Sequence, residues 1–254
     1  GRQTAVAGAP PDAFTAEGQH WGNPLYRWAA HEAEGFAWWT QRIRHTLAQV
    51  DLVRIDHFRG FVACWAIPAT DRHAMNGHWE ASPGPALFAA ATAALGDLPV
   101  IAEDLGNITP EVDALRTTLG YPGMRILQFA FGDGSDHAYL PHNYEPNTVV
   151  YTGTHDNDTA LGWWRSADEH CRHHVREYLG SEGREVHWDL IRAACASVAD
   201  TAIYPMQDVM GLPTEQRMNQ PGQAEGNWSW RFQWADVAPD AADRLRHLCG
   251  LYSR

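Results

Sequence analysis

The chain has 254 residues, enough for one large domain or two small ones, and 44% of them are hydrophobic, as a globular core requires. Its formal net charge is −12, and all 19 of its Lys and Arg residues are arginine, which argues against a nucleic-acid partner held on a basic surface. No apolar run reaches the length that crosses a bilayer, so no membrane partner is expected.

No signal-peptide pattern opens the chain. Cys64, Cys171, Cys195 and Cys249 are widely spaced with no CxxC, against a zinc ribbon or a disulfide framework and in favour of reduced thiols in a cytoplasmic protein. The 12 tryptophans are many for this length. Each is most simply a core residue, but Trp also supplies flat platforms for sugar rings in a lined cleft.

Taken in order, residues 1–27 have no clear period and carry Gly and Pro clusters, so they read as loop. Phe14, Trp21 and Tyr26 make that loop unusually aromatic, which suits a segment lining a site. Trp28, Phe36, Trp39, Ile43 and Leu47 recur at helical spacing and predict one helix over 28–49. A strand follows at 52–56, then a loop from Gly60 to Pro83. His73 and His78 lie in that loop without a third ligand at useful spacing, so no metal is expected. Residues 84–95 are Ala-rich and helical, ending at Gly96. A strand covers 99–103, and Thr109-Pro110 opens a helix with Thr109 as N-cap.

Residues 125–129 read as a strand and 132–135 as a turn. A strand over 148–153 leads to a helix starting near Asp158 or Thr159. His170 and His174 then sit one turn apart on a surface helix. Residues 187–200 are helical, 202–209 read as a strand despite Pro205, 211–230 are loop, and 238–251 form an Arg-rich amphipathic helix. Alternation of this kind implies a parallel sheet with helical crossovers. No GxGxxG or Walker A motif follows a strand.

Three strands end alike. Leu52-Val53-Arg54-Ile55-Asp56-His57 runs from apolar to charged. Val100-Ile101-Ala102-Glu103-Asp104 does the same, and Val149-Val150-Tyr151-Thr152-Gly153-Thr154-His155-Asp156 ends in a His-Asp pair. Buried parallel strands that release charge at their C-terminal ends have the layout of a (β/α)-barrel active site. Arg54 and Asp56 alternate onto one face, and an adjacent guanidinium favours an ionised carboxylate. Such a carboxylate serves as a nucleophile or as a stabiliser of positive charge. Three strand-end carboxylates match what chemistry on a glycosidic bond needs. About five strands are found, whereas a closed barrel of this type has eight.

Six stretches make the pattern specific: GQHWGNPLY at 18–26, DLVRIDHFRGF at 51–61, IAEDLGNITPEV at 101–112, GYPGMRILQFAF at 120–131, VVYTGTHDNDTALGWW at 149–164, and RMNQPG with GNWSWR at 217–231. With them the chain resembles the amylomaltases, also called 4-α-glucanotransferases or disproportionating enzymes, relatives of the α-amylases. The resemblance implies an α/β fold, a partial (β/α)8 TIM barrel holding the last five strands with their helices. The whole chain, 1–254, is then the C-terminal part of a catalytic barrel, with 1–27 an aromatic active-site segment within it. It implies Asp56 as nucleophile, Glu103 as general acid/base and Asp156 as transition-state stabiliser. Arg54 and His155 are implied to contact substrate or orient the carboxylates, His57 and Asn157 to bind substrate, and Trp21 and Asn219 to lie in substrate-contacting loops, with Phe14 on a mobile aromatic loop over the cleft.

The expected partners are α-1,4-glucans such as maltooligosaccharides and fragments of starch or glycogen, with no cofactor and no metal. The family's enzymes are about twice as long and carry three barrel strands before this point. The isolated chain is therefore expected to be inactive or poorly folded, and its full-length parent to be the glucanotransferase. The rival readings are an α-glucan hydrolase with the same carboxylates and a non-catalytic glucan-binding partial barrel.

Overall fold

The computed structural model describes residues 3–12 and 15–254, and the chain divides into two compact units, Gly1–Gly123 and Met124–Arg254.

In the first unit β1 (Ala5–Ala9) pairs antiparallel with β2 (Gln19–Pro24), and two helices follow, α1 (Trp28–Ala33) and α2 (Ala37–Leu47). The parallel strand β3 (Val53–Ile55) comes next. An antiparallel excursion follows it, β4 (Ala63–Pro68) and β5 (His78–Ala81). The unit closes with α3 (Gly84–Leu95), β6 (Val100–Ala102) and α4 (Pro110–Thr118). Two sheets result: β3 beside β6, and a four-stranded sheet in the order β2-β1-β4-β5.

Three expectations are corrected here. Residues 1–27 are not all loop, because β1 gains its ladder from β4, with Val6 opposite Ile67. Residues 60–83 likewise hold β4 and β5. Local pattern could not reveal either, since Ala5–Ala9 has one bulky residue and its partner lies far along the chain. The helix over 28–49 is broken. Gly35 at φ 61° and Phe36 at φ 56° both enter the left-handed region, which a continuing helix cannot accept, and Phe36 is turned into the core.

That core lies between the β3–β6 pair and the helices. Trp39 and Ile43 of α2, Leu87 and Phe88 of α3 and Val112 and Leu115 of α4 pack with Val100 and Ala102 of β6, and Val53 and Ile55 of β3 lean on the same cluster. Since side chains alternate along a strand, Arg54, Ile101 and the residues two places on face away from the helices.

The second unit begins in β7 (Gly123–Ile126), whose first residue is the last of the unit before. Then come β8 (Thr148–Tyr151), α5 (Ala160–Ser166), α6 (Glu169–Leu179), α7 (Val186–Ala196), β9 (Thr201–Ile203), α8 (Met206–Val209) and α9 (Ala241–Tyr252). The sheet order is β7-β8-β9, with β8 and β9 parallel.

Strand β7 stops at Ile126 and continues as a 3-10 turn, so the strand expected at 125–129 is shifted towards the N-terminus. The strand expected at 202–209 ends at Ile203 and becomes α8. Pro205 explains the change: it lacks the N–H a ladder needs, and its fixed φ suits the position before a first helical turn.

Helix starts vary: the expected N-cap Thr109 opens α4 with no side-chain cap bond. Thr159 caps α5 through Gly162 N at 3.0 Å, and Asp168 caps α6 through Cys171 N at 2.8 Å. Leu127, Val150, Val175, Val186 and Leu190 form the unit's main core, and Trp188, Ile191 and Cys195 of α7 pack on Leu248 of α9. Among the described residues, no helix is long and apolar enough to cross a membrane.

Candidate active site

The parallel register fixes the first two carboxylates. Val53, Arg54 and Ile55 stand opposite Val100, Ile101 and Ala102, so the next residues, Asp56 and Glu103, leave adjacent strands at the same level. Both follow the face turned away from the helices, on strands about 4.8 Å apart. Backbone bonds carry the ladder past the strand ends, with Glu103 N donating to Ile55 O at 3.0 Å and Phe58 N to Glu103 O at 3.1 Å.

The two groups then meet different surroundings. Asp56 is 80% exposed at its side chain and accepts from Arg54 Nη2 at 2.6 Å, the same-face pairing that strand alternation predicts. Glu103 is half-buried. Its Oε2 accepts from His57 N at 2.6 Å and its Oε1 from Leu105 N at 2.9 Å. Burial pushes the Glu103 carboxyl up from its ordinary value, and the neighbouring Asp56 charge adds to the rise. The two backbone donors and Arg54 oppose it.

His57 serves Glu103 through its backbone. At φ 49° it adopts a left-handed conformation that is uncommon outside glycine, and its N–H thereby reaches Glu103. Its ring meets Trp21 edge-to-face at 4.8 Å, and burial, then the Arg59 charge, lower its pKa. Trp21 therefore stands against the His57 ring, whose backbone N–H holds Glu103. Phe14 lies outside the described residues.

In the second unit Thr154–Asn157 forms a turn beyond β8. Asn157 Oδ1 accepts from both Thr154 N and Thr154 Oγ1 at 2.8 Å, so Asn157 braces the turn. Asp156 Oδ1 accepts from Asn219 Nδ2 at 2.6 Å, and His155 Nε2 lies 3.1 Å from Asp156 Oδ2. Arg217 Nη2 donates to Asp156 O at 3.0 Å, and the Trp228 ring tilts over His155 at 5.1 Å. The 217–230 loop is therefore anchored on the His155-Asp156 turn, with Asn219, expected in a substrate-contacting loop, bonded to the Asp156 carboxylate.

Asp208, behind this turn, was not foreseen. It is 1% exposed and accepts from Thr152 Oγ1 at 2.6 Å and Ala160 N at 2.7 Å. Burial pushes its carboxyl up to about 6. Arg59, Arg217 and Trp228 were also not singled out, although each lies in a recognised stretch. Among the described residues, no group of three or more His, Cys, Asp or Glu is placed to hold a metal ion. His73 instead pairs with Glu17 at 2.7 Å, and His170 and His174 bracket the Gly132 peptide at 3.0 and 3.1 Å.

Parallel strands ending in positioned carboxylates, with helices covering one face, define an α/β protein whose chemistry sits at the strand C-termini. Comparison with known proteins narrows this class. The sequence model of the glycoside hydrolase 77 family, 4-alpha-glucanotransferase, matches residues 2–237. A 4-alpha-glucanotransferase from Thermus thermophilus is 51% identical over 98% of this chain and 51% of its own length. The Arabidopsis thaliana chloroplastic/amyloplastic 4-alpha-glucanotransferase DPE1 is 48% identical over 98% of this chain and 44% of its own. An amylomaltase from Streptococcus agalactiae, solved in complex with acarbose, superposes with a TM-score of 0.96 at 38% identity. It is matched over 99% of this chain and 51% of that one. An amylomaltase from Corynebacterium glutamicum, at 19% identity and a TM-score of 0.75, shares the fold. The chain belongs to the 4-alpha-glucanotransferase family, and it spans about half the length of the relatives it matches.

Proposed function

We propose that this chain carries the reacting carboxylates of a retaining 4-α-glucanotransferase. The observation that supports this most is the unlike pair at one level of β3 and β6: an exposed Asp56 held by Arg54, and a half-buried Glu103 whose carboxyl burial pushes up. Two carboxyls in surroundings this unlike suit a nucleophile and an acid/base.

In the proposed reaction Asp56 attacks the anomeric carbon of an α-1,4-glucan while Glu103 protonates the departing glycosidic oxygen. A covalent glycosyl-enzyme forms on Asp56. Glu103, now ionised, takes the proton of an acceptor 4-OH, which attacks the same carbon and releases Asp56. Asp156, held by Asn219 and His155, stabilises positive charge on the sugar in both transition states. Trp21 and Trp228 supply aromatic surface for stacking sugars, which favours an acceptor glucan over water. Arg54 orients Asp56, and His57 and Asn157 act through the backbone bonds they hold.

The five strands β3, β6, β7, β8 and β9 are this chain's share of an eight-stranded (β/α) barrel. The remaining strands would correspond to the half of the relatives' length that the chain does not match. On that reading α-1,4-glucans are the partners, and activity needs the completed barrel. Four free cysteines suit a reducing compartment, with the cytoplasm as the proposed location.

The test is intermediate trapping in the completed protein. Glu103→Gln with an α-glucosyl fluoride donor should add one glucosyl mass to the peptide bearing Asp56. Asp56→Asn should abolish both the adduct and disproportionation of maltotriose. Longer maltooligosaccharides as products mark transfer, and only shorter ones mark hydrolysis. A product of inverted configuration, or full activity in Asp56→Asn, overturns the proposal.

A further inference from the structure

Arg59 is an unusual residue to bury. It is 6% exposed, and among the described residues no carboxylate lies within ion-pair distance of it. Burial lowers its pKa, and its Nε has no hydrogen-bond partner. A cation kept under such conditions has to do something an uncharged residue does not.

Its contacts indicate what that is. Nη1 donates to Asn107 O at 2.8 Å, in the turn that follows Glu103. The guanidinium lies over the Trp79 ring at 3.8 Å. That ring is held in turn on β5, edge-to-face with Trp65 of β4 at 5.2 Å, and Trp65 Nε1 donates to Ala74 O at 2.9 Å.

The segments 57–59 and 103–107 are therefore tied at both ends. At one end His57 N and Phe58 N bond the Glu103 side chain and carbonyl. At the other, the Arg59 side chain bonds Asn107. Between the ties lie Leu105, whose N–H holds Glu103 Oε1, and Gly106 at φ 79°, where backbone freedom is greatest. Asp104, buried and facing Arg116 Nε at 3.5 Å, anchors the start of the turn, and Ile108 packs on the core beyond it, so the Arg59 bond is what holds the stretch around Gly106.

We propose that Arg59 is a positioning residue for Glu103: clamped on the Trp79 ring, it holds the 103–107 turn so that the Leu105 N–H stays on the carboxylate. The proposal deepens the acid/base reading of Glu103 and rests on it for its functional meaning. Arginine suits the task because a planar guanidinium stacks on an indole while donating in its own plane. The antiparallel excursion then acquires a role, since Trp79 is how it reaches the strand ends.

The experiment separates position from charge. In the isotope-labelled completed protein, the Glu103 carboxyl titration and Leu105 amide exchange report position, and the His57 ring titration reports the Arg59 charge. In Arg59→Gln, Leu105 exchange should rise about tenfold, the loss expected for a charge-assisted hydrogen bond, and the Glu103 titration should shift. His57 should move up towards its ordinary value. Arg59→Lys should leave His57 low while Leu105 exchange still rises, because an ammonium keeps the charge but not the stacked fork. Trp79→Leu should raise Leu105 exchange with His57 nearly unmoved. Leu105 exchange and Glu103 titration at wild-type values in any one folded variant overturn the proposal. These readouts need no turnover, so the proposal can fail while Glu103→Gln still abolishes activity, and the reverse.

Discussion

Replacing Asp208 by Asn should change how the stability of the chain depends on pH. The carboxyl is 1% exposed and is pushed from 3.8 up to about 6 by burial, against the donors Ala160 N and Thr152 Oγ1. An acid raised in the folded state favours folding while it keeps its proton. That contribution is complete below the unfolded value and is lost as pH rises through the folded one. Between 3.8 and about 6 it amounts to about 3 kcal/mol. Asn cannot ionise, so the variant carries no such slope. It keeps an oxygen for Ala160 N–H but gives up the acceptor for the Thr152 hydroxyl, which costs about 1 kcal/mol at every pH. The variant should therefore be about 1 kcal/mol less stable than wild type near pH 3.5 and about 2 kcal/mol more stable near pH 7. Urea unfolding followed by tryptophan fluorescence at half-unit pH steps measures both chains, and their difference removes every other titrating group. A difference that stays flat from about pH 3.5 to 7 would refute the reasoning, since linkage leaves no other way for this carboxyl to be perturbed.

Asp168→Ala removes the N-cap of α6, and thermal melts should show a loss of about 1 kcal/mol. At Gly84 an added Cβ would sit 2.3 Å from Phe61 O, so Gly84→Ala should lose about 1–3 kcal/mol by the same measurement. Asn219→Ala leaves Asp156 without its 2.6 Å donor. In the completed protein kcat should fall about tenfold or more, with the melting temperature within about 2 °C of wild type.

What the sequence reveals of this fold is what neighbouring residues decide among themselves. Asp56 and Glu103 are visible because each ends an apolar run, and the alternation that pairs Arg54 with Asp56 spans two residues. The helix start at Thr159 is equally local. Strand β1 is not visible, because Ala5–Ala9 is strand only by lying against Ala66 and Ile67. The break at Gly35-Phe36 hides inside a helical period that Phe36 itself continues. Asp208 sits in a run that reads as strand until Pro205 turns it into α8. The Arg59–Trp79 stack depends on a hairpin register that residue spacing does not encode. Asn219 reached its place through resemblance alone, since its partner Asp156 is distant in sequence.

Strand β1 lies between β2 and β4 in the order β2-β1-β4-β5, so the earliest strand of the chain joins the two halves of the antiparallel sheet. Its partners Val6 and Ile67 are roughly sixty residues apart, and closing a loop of that size delays their meeting. The indole that steadies Arg59 stands on β5, paired with β4, and Trp65 of β4 packs in turn against the cluster that holds Val6 of β1. Trimming the first ten residues should leave the helices in place while loosening a carboxylate nearly a hundred positions downstream.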